Sequence, residues 1–98
     1  MVQPLFAVMR ARGKAWEASR PLDEQADWRG HADFMDKLYA QGFVLLAGPL
    51  EGTEDALLII RAADAEAVRR GLEGDPWNKG LLGPPRIMPW TLRLGRLG

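Results

Sequence analysis

Three observations predict an α+β fold with the element order β-α-β-β-α-β. Four apolar runs have the length and the β-branched or aromatic content of strands, and two intervening segments carry a helical period. Gly and Pro residues punctuate most of the boundaries between them. The 98 residues make one domain, large enough for a core but small enough that a partner subunit would help.

The first strand is Leu5-Phe6-Ala7-Val8-Met9, ending near Arg12. It is apolar on both faces, with Arg10 and Arg12 on the face of Phe6 and Val8. Lys14 to Pro21 has no clear period and reads as a loop. Asp23-Glu24 is expected to open a helix, since acids suit the first turn, and the helix runs to about Gln41 before Gly42 stops it. Its apolar stripe is Trp28, Phe34, Met35, Leu38 and Tyr39, with His31 inside it. Asp33 and Lys37 are placed for an i,i+4 pair, and Gly30 is a defect that marks a close approach or a kink beside His31.

Phe43 to Ala47 is the second strand, closed by Gly48-Pro49, and Ala56 to Arg61 is the third, so the two form a hairpin. Asp64 is a ready N-cap for a second helix that runs to Leu72. A Gly-punctuated loop, Gly71 to Gly80, follows, with Asp75-Pro76-Trp77 at its centre. After Gly83-Pro84-Pro85 comes the last strand, Arg86 to Leu94, in which Pro89 demands a sheet edge or a bulge. Gly95 to Gly98 reads as a frayed tail.

This order is that of the ferredoxin-like fold: a four-stranded antiparallel sheet with two helices on one face. The strands are apolar on both faces, and a bare apolar sheet face is unusual on a monomer. The expectation is therefore a C₂ homodimer, joined through the open sheet faces into an α+β barrel.

Composition narrows the function classes. Lys+Arg and Asp+Glu both count 13 and the pI is about 6.6, which disfavours nucleic acid or an anionic membrane as a partner. There is no Cys, so disulfides, thiolate zinc sites and thiol catalysis are excluded. With one His and no Cys, no metal site is expected, and no phosphate-binding glycine loop or nucleophile elbow is present. The N-terminus has no signal-peptide pattern, and no apolar run has the length of a membrane span, which predicts a soluble cytoplasmic protein.

His31 is the only His and the side chain best suited to proton transfer near neutral pH. Asp75, held in a turn by Gly74 and Pro76, is the acid best placed to orient it. The competing reading is a satisfied core His and a turn-forming Asp. Arg10 is a candidate for holding a substrate carboxylate or a developing oxyanion, whereas Arg12 reads as a solvated strand end. Trp77 and Trp90, each after a proline, are candidate walls of a ligand pocket, with packing as the alternative.

At these residues the sequence resembles the YciI-like (YCII-related) family. The similar pieces are Gly30-His31-Ala32-Asp33-Phe34, Gly42 to Pro49, Asp75-Pro76-Trp77, Gly80-Leu81-Leu82 and Met88-Pro89-Trp90, spread over nearly the whole chain. The resemblance implies a dimeric α+β barrel with a His–Asp pair at its site, falling here on His31 and Asp75. Some members of that family are associated with elimination chemistry in aromatic-ring breakdown, but the substrate does not carry over; the functional expectation is a cofactor-free lyase or isomerase acting on a small oxygenated cyclic or aromatic substrate. A non-catalytic small-molecule binder or accessory subunit and a purely structural module are the alternatives.

Overall fold

A computed structural model describes residues 3–96; Met1-Val2 and the last two residues of the expected tail, Leu97 and Gly98, lie outside it. The fold is α+β and ferredoxin-like. In chain order it runs β1 (Leu5–Ala11), α1 (Trp28–Ala40), β2 (Val44–Pro49), β3 (Asp55–Arg61), α2 (Ala65–Leu72) and β4 (Arg86–Trp90). The antiparallel sheet has the order β2-β3-β1-β4, which makes β2 and β4 its edges.

Register follows from alternation. Phe6 pairs with Ile60 and Val8 with Leu58 and Ile87 across β1's two ladders. All of these face the helices, because a period of two keeps partners on one side. Leu38 of α1 and Val68 and Leu72 of α2 close over them, with Phe34 and Met35 packed alongside. Each such fully buried aliphatic side chain contributes about 1.5–3 kcal/mol. No helix among the described residues is long and apolar enough to cross a membrane.

The helix ends show how local chemistry sets the elements. Asp64 accepts the Ala67 N–H at 2.8 Å and caps α2. Gly42, at φ 76°, ends α1 while Phe43 N donates to Leu38 O and Gly42 N to Tyr39 O, the two bonds of a Schellman turn.

Four expectations are corrected. The first helix begins at Trp28, not Asp23: Leu22–Glu24 is a separate 3₁₀ turn and Asp27 is left-handed at φ 57°. The cause is tertiary. Gln25 is buried and bonded to Glu17 and Arg20, and the Ala26 carbonyl accepts the Trp77 indole N–H, so these residues cannot continue a helical ladder. Asp33 lies 3.9 Å from Arg29 and forms no pair with Lys37; both side chains are exposed, so this pair is worth a few tenths of a kcal/mol. The second strand is Val44–Pro49: Phe43 belongs to the turn that ends α1, where its N–H is taken by the Leu38 carbonyl, and Gly48-Pro49 still pair with β3. The last strand stops at Trp90, since its partner β1 starts at Leu5 and leaves Thr91 onward nothing to pair with. Pro89 sits on an edge strand, as its missing N–H requires.

Candidate active site

The site is assembled around the turn after α2. Asp75 is the N-cap of a short 3₁₀ turn, Pro76–Lys79, and its Oδ1 accepts the Trp77 N–H at 2.9 Å. Proline at the first position of that turn has no N–H to satisfy, so Asp-Pro-Trp is a local device for turning Trp77 inward. Gly30 completes the docking. The Pro76 ring lies against it, 3.3 Å from where a Cβ would stand, and α1 and the turn thereby meet one residue from His31. The Gly30 helix defect is therefore a close approach, to a side-chain ring.

His31 and Asp75 touch. His31 Nδ1 lies 2.9 and 3.0 Å from the two carboxylate oxygens. A carboxylate only accepts, so Nδ1 carries the proton and, in the neutral ring, Nε2 keeps a free lone pair. No residue among those described hydrogen-bonds Nε2, and the His31 side chain is 14% exposed against 1% for Asp75. The imidazole is also stacked on Trp77, with centroids 3.8 Å apart and planes within 4°. Trp77 is itself fixed by its 2.7 Å bond to the Ala26 carbonyl and is fully buried. Both the edge and the face of the imidazole are thus held.

Arg10 is placed otherwise than expected. Its Nε and Nη2 donate to the Gly83 carbonyl at 3.2 and 2.7 Å, and Nη2 donates to Asn78 Oδ1 at 2.7 Å. Nη1 stands 3.8 Å from Asp75 Oδ2 and has no hydrogen-bond partner. Burial lowers the Arg10 guanidinium from its ordinary value and the Asp75 charge raises it back. Two of its three nitrogens are engaged inside the fold, so Arg10 is a buried counter-ion to Asp75 and a tie between β1 and the turn. It also borders the cavity beside His31, with Nη1 as its one nitrogen left without a hydrogen bond among the described residues.

A cavity of about 460 Å³ opens between α1 and the end of the β2–β3 hairpin, and His31, Asp75 and Trp77 line it. That volume suits a small ligand. Trp90 does not line it. Trp90 pairs with Leu5, and three residues from the inward-facing Ile87 it falls on the opposite sheet face, 40% exposed.

No protein-family model and no curated protein matches the sequence.

The aromatic wall of the cavity is Trp16, Trp28 and Trp77. Trp16 meets Trp77 edge to face at 5.5 Å, and Trp28 is tilted 5.9 Å from Trp77. Trp28 was on the helical stripe and so findable. Trp16 sits in the segment without period, where a local turn bond from its N–H to the Gly13 carbonyl combines with tertiary bonds to place it. Gly13 and Ala15 donate to the Leu81 and Gly80 carbonyls, and Gln25 binds the Glu17 backbone from the other side. Asn78, also missed, links Arg10 to the Leu72 and Glu73 carbonyls at the end of α2.

Gly13 permits this arrangement, since a Cβ there would run into the Gly80 carbonyl. Gly13→Ala should cost about 1–3 kcal/mol, as for other overpacked sites, read as a lowered urea midpoint. An unchanged midpoint would mean that this contact is not formed in solution.

Proposed function

We propose that the protein is a cofactor-free lyase or isomerase in which His31 moves a proton on a small, oxygenated cyclic or aromatic substrate. The observation that carries this reading is the 2.9 Å contact of His31 Nδ1 with a buried carboxylate, while no described residue bonds Nε2 and the ring lines a cavity. The resemblance to the YciI-like family supports the same pair.

In the resting state Asp75 fixes the Nδ1–H tautomer, so the Nε2 lone pair is the basic site. Nε2 removes a proton from carbon beside a substrate carbonyl. The C–H electron pair moves into a C=C bond, with a negative charge on the carbonyl oxygen. Return of the proton to a different carbon completes an isomerisation; departure of a β-leaving group with its electron pair completes an elimination. Asp75, next to the imidazolium, offsets the charge formed there without taking the proton itself. Arg10 is a positioning residue in this scheme: it acts through Asp75.

The test is turnover by the wild-type and His31→Ala proteins across a panel of small cyclic and aromatic oxygenated compounds. Loss of turnover in the variant is expected. Saturable binding without turnover in the wild type would instead assign a binding protein.

We further propose that the active form is a homodimer joined through the open sheet face. Leu46, Met88 and Trp90 are 56%, 44% and 40% exposed there, on the two edge strands β2 and β4. The near-neutral chain does not repel a second copy. Sedimentation should give twice the 10.9 kDa of one chain, and Leu46→Glu with Met88→Glu should return the monomer. A wild-type monomer at micromolar concentration would exclude this arrangement.

A further inference from the structure

Three arginines line the His31 cavity, and the fold leaves one of them unmatched. Arg10 is buried and hydrogen-bonded, and Arg29 is within 3.9 Å of Asp33. Arg12 has no carboxylate within ion-pair distance among the described residues, and its side chain makes no hydrogen bond there.

Arg12 is nevertheless not a loose surface side chain. Its backbone N–H donates to Glu54 O at 3.0 Å, and it forms an isolated bridge with Leu82, so its base is fixed. Its guanidinium carbon lies 4.7 Å from the Trp16 ring centroid. The indole attracts the cation but accepts none of the fork's five N–H hydrogen bonds. Trp16 abuts Trp77, and Trp77 stacks on His31. This chain of aromatic contacts holds the unmatched cation in a set relation to the candidate base, on the wall of the same cavity.

We infer that Arg12, braced on Trp16, anchors a single carboxylate, and that the ligand is a planar, aromatic or unsaturated monocarboxylate lying along the tryptophan wall toward His31. A guanidinium fork matches the planar carboxylate with two parallel N–H bonds. One charge is favoured over two because the cavity lining holds four carboxylates against three arginines, which repels a dianion such as a phosphate. The flat indoles favour a flat, apolar body on the ligand. This inference rests on the cavity being the small-molecule site proposed above, and it names the chemical class that enters it. It does not require turnover.

The experiment is equilibrium binding of benzoate and of its neutral isostere benzamide, followed by the Trp16 indole N–H resonance, assigned with Trp16→Phe. Benzoate should saturate and should bind about 10- to 100-fold tighter than benzamide, the range expected for charge-assisted hydrogen bonds. Arg12→Gln should bring the two ligands to within about twofold of each other, and Arg12→Lys should recover part of the preference. Arg12 is exposed, so these variants are expected to fold. Equal binding of the two ligands, a preference that survives in Arg12→Gln, no saturable benzoate binding at millimolar concentration, or displacement by inorganic phosphate as effective as by acetate at equal ionic strength would each overturn the inference. Benzoate binding that persists in His31→Gln, with no substrate turned over by the wild type, would sink the proton-transfer reading while leaving the carboxylate anchor standing.

Discussion

Replacing Arg10 by Met should destabilise the fold by about 3–5 kcal/mol, the range for removing one member of a buried ion pair and leaving the other uncompensated. Arg10 is 2% exposed and Asp75 is 3% exposed, so water cannot take over the solvation of the carboxylate that remains. The loss also strands the Gly83 carbonyl and Asn78 Oδ1, both of which accept from Arg10. Asp75→Asn should cost less. Its amide oxygen can still accept the Trp77 N–H that caps the turn, although the charge facing Arg10 is gone. Urea unfolding of both single variants and of the double variant closes a cycle. The double variant should be more stable than the sum of the two losses implies, because it removes both charges together. Strict additivity would show that the 3.8 Å approach carries no coupling.

His31→Ala should lower kcat by about 10²–10⁴-fold on any substrate that the wild type turns over, the usual yield of a positioned acid–base group. Asp75→Asn should fall in a similar range for a different reason. An amide can donate to Nδ1, which moves the ring proton to Nε2 and removes the free lone pair from the cavity side. Because His31 is the only His, a long-range ¹H–¹⁵N spectrum contains a single imidazole, and its two nitrogen shifts report the tautomer directly. The wild type should show Nδ1–H, and Asp75→Asn should show Nε2–H. Full turnover in His31→Ala would end the proposed mechanism. An Nε2–H tautomer in the wild type would remove the free base on which it depends.

The pair at the centre of these predictions was largely legible in the sequence. One His on an apolar helical stripe and one Asp held between Gly74 and Pro76 made a candidate pair that the family resemblance favoured over a core His and a turn-forming Asp, and the two side chains do meet. The Asp64 cap, the Gly42 stop and the edge position of Pro89 were legible for a related reason: each follows from the hydrogen-bonding capacity of one residue and its near neighbours. The hydrogen bonds of Arg10 were not legible, because strand alternation places it on the inner face without saying whether Gly83, Asn78 or a ligand will receive its N–H groups. Trp90 was misread because three residues along β4 reverse the face, and that count matters only once Ile87 is known to point inward. Trp16 and Gln25 carried no periodic signal at all.

The order of six elements, the apolar character of both sheet faces and a single candidate for proton transfer can all be read from the residues alone. These depend on interactions within a few residues, where a period of two or of 3.6 and a cap are local properties of the chain. Where α1 begins, which arginine is buried beside Asp75, and which arginine makes no ion pair on the cavity wall among the described residues all depend on the folded chain. The deciding contacts reach far along the chain, the third through the Gly80 and Leu81 carbonyls that hold the Gly13–Ala15 segment. Trp77 takes the carbonyl of Ala26, Gly83 takes the guanidinium of Arg10, and the Gly13 segment lays Trp16 under Arg12. A buried polar group must find a partner, but its own sequence neighbourhood does not specify which one.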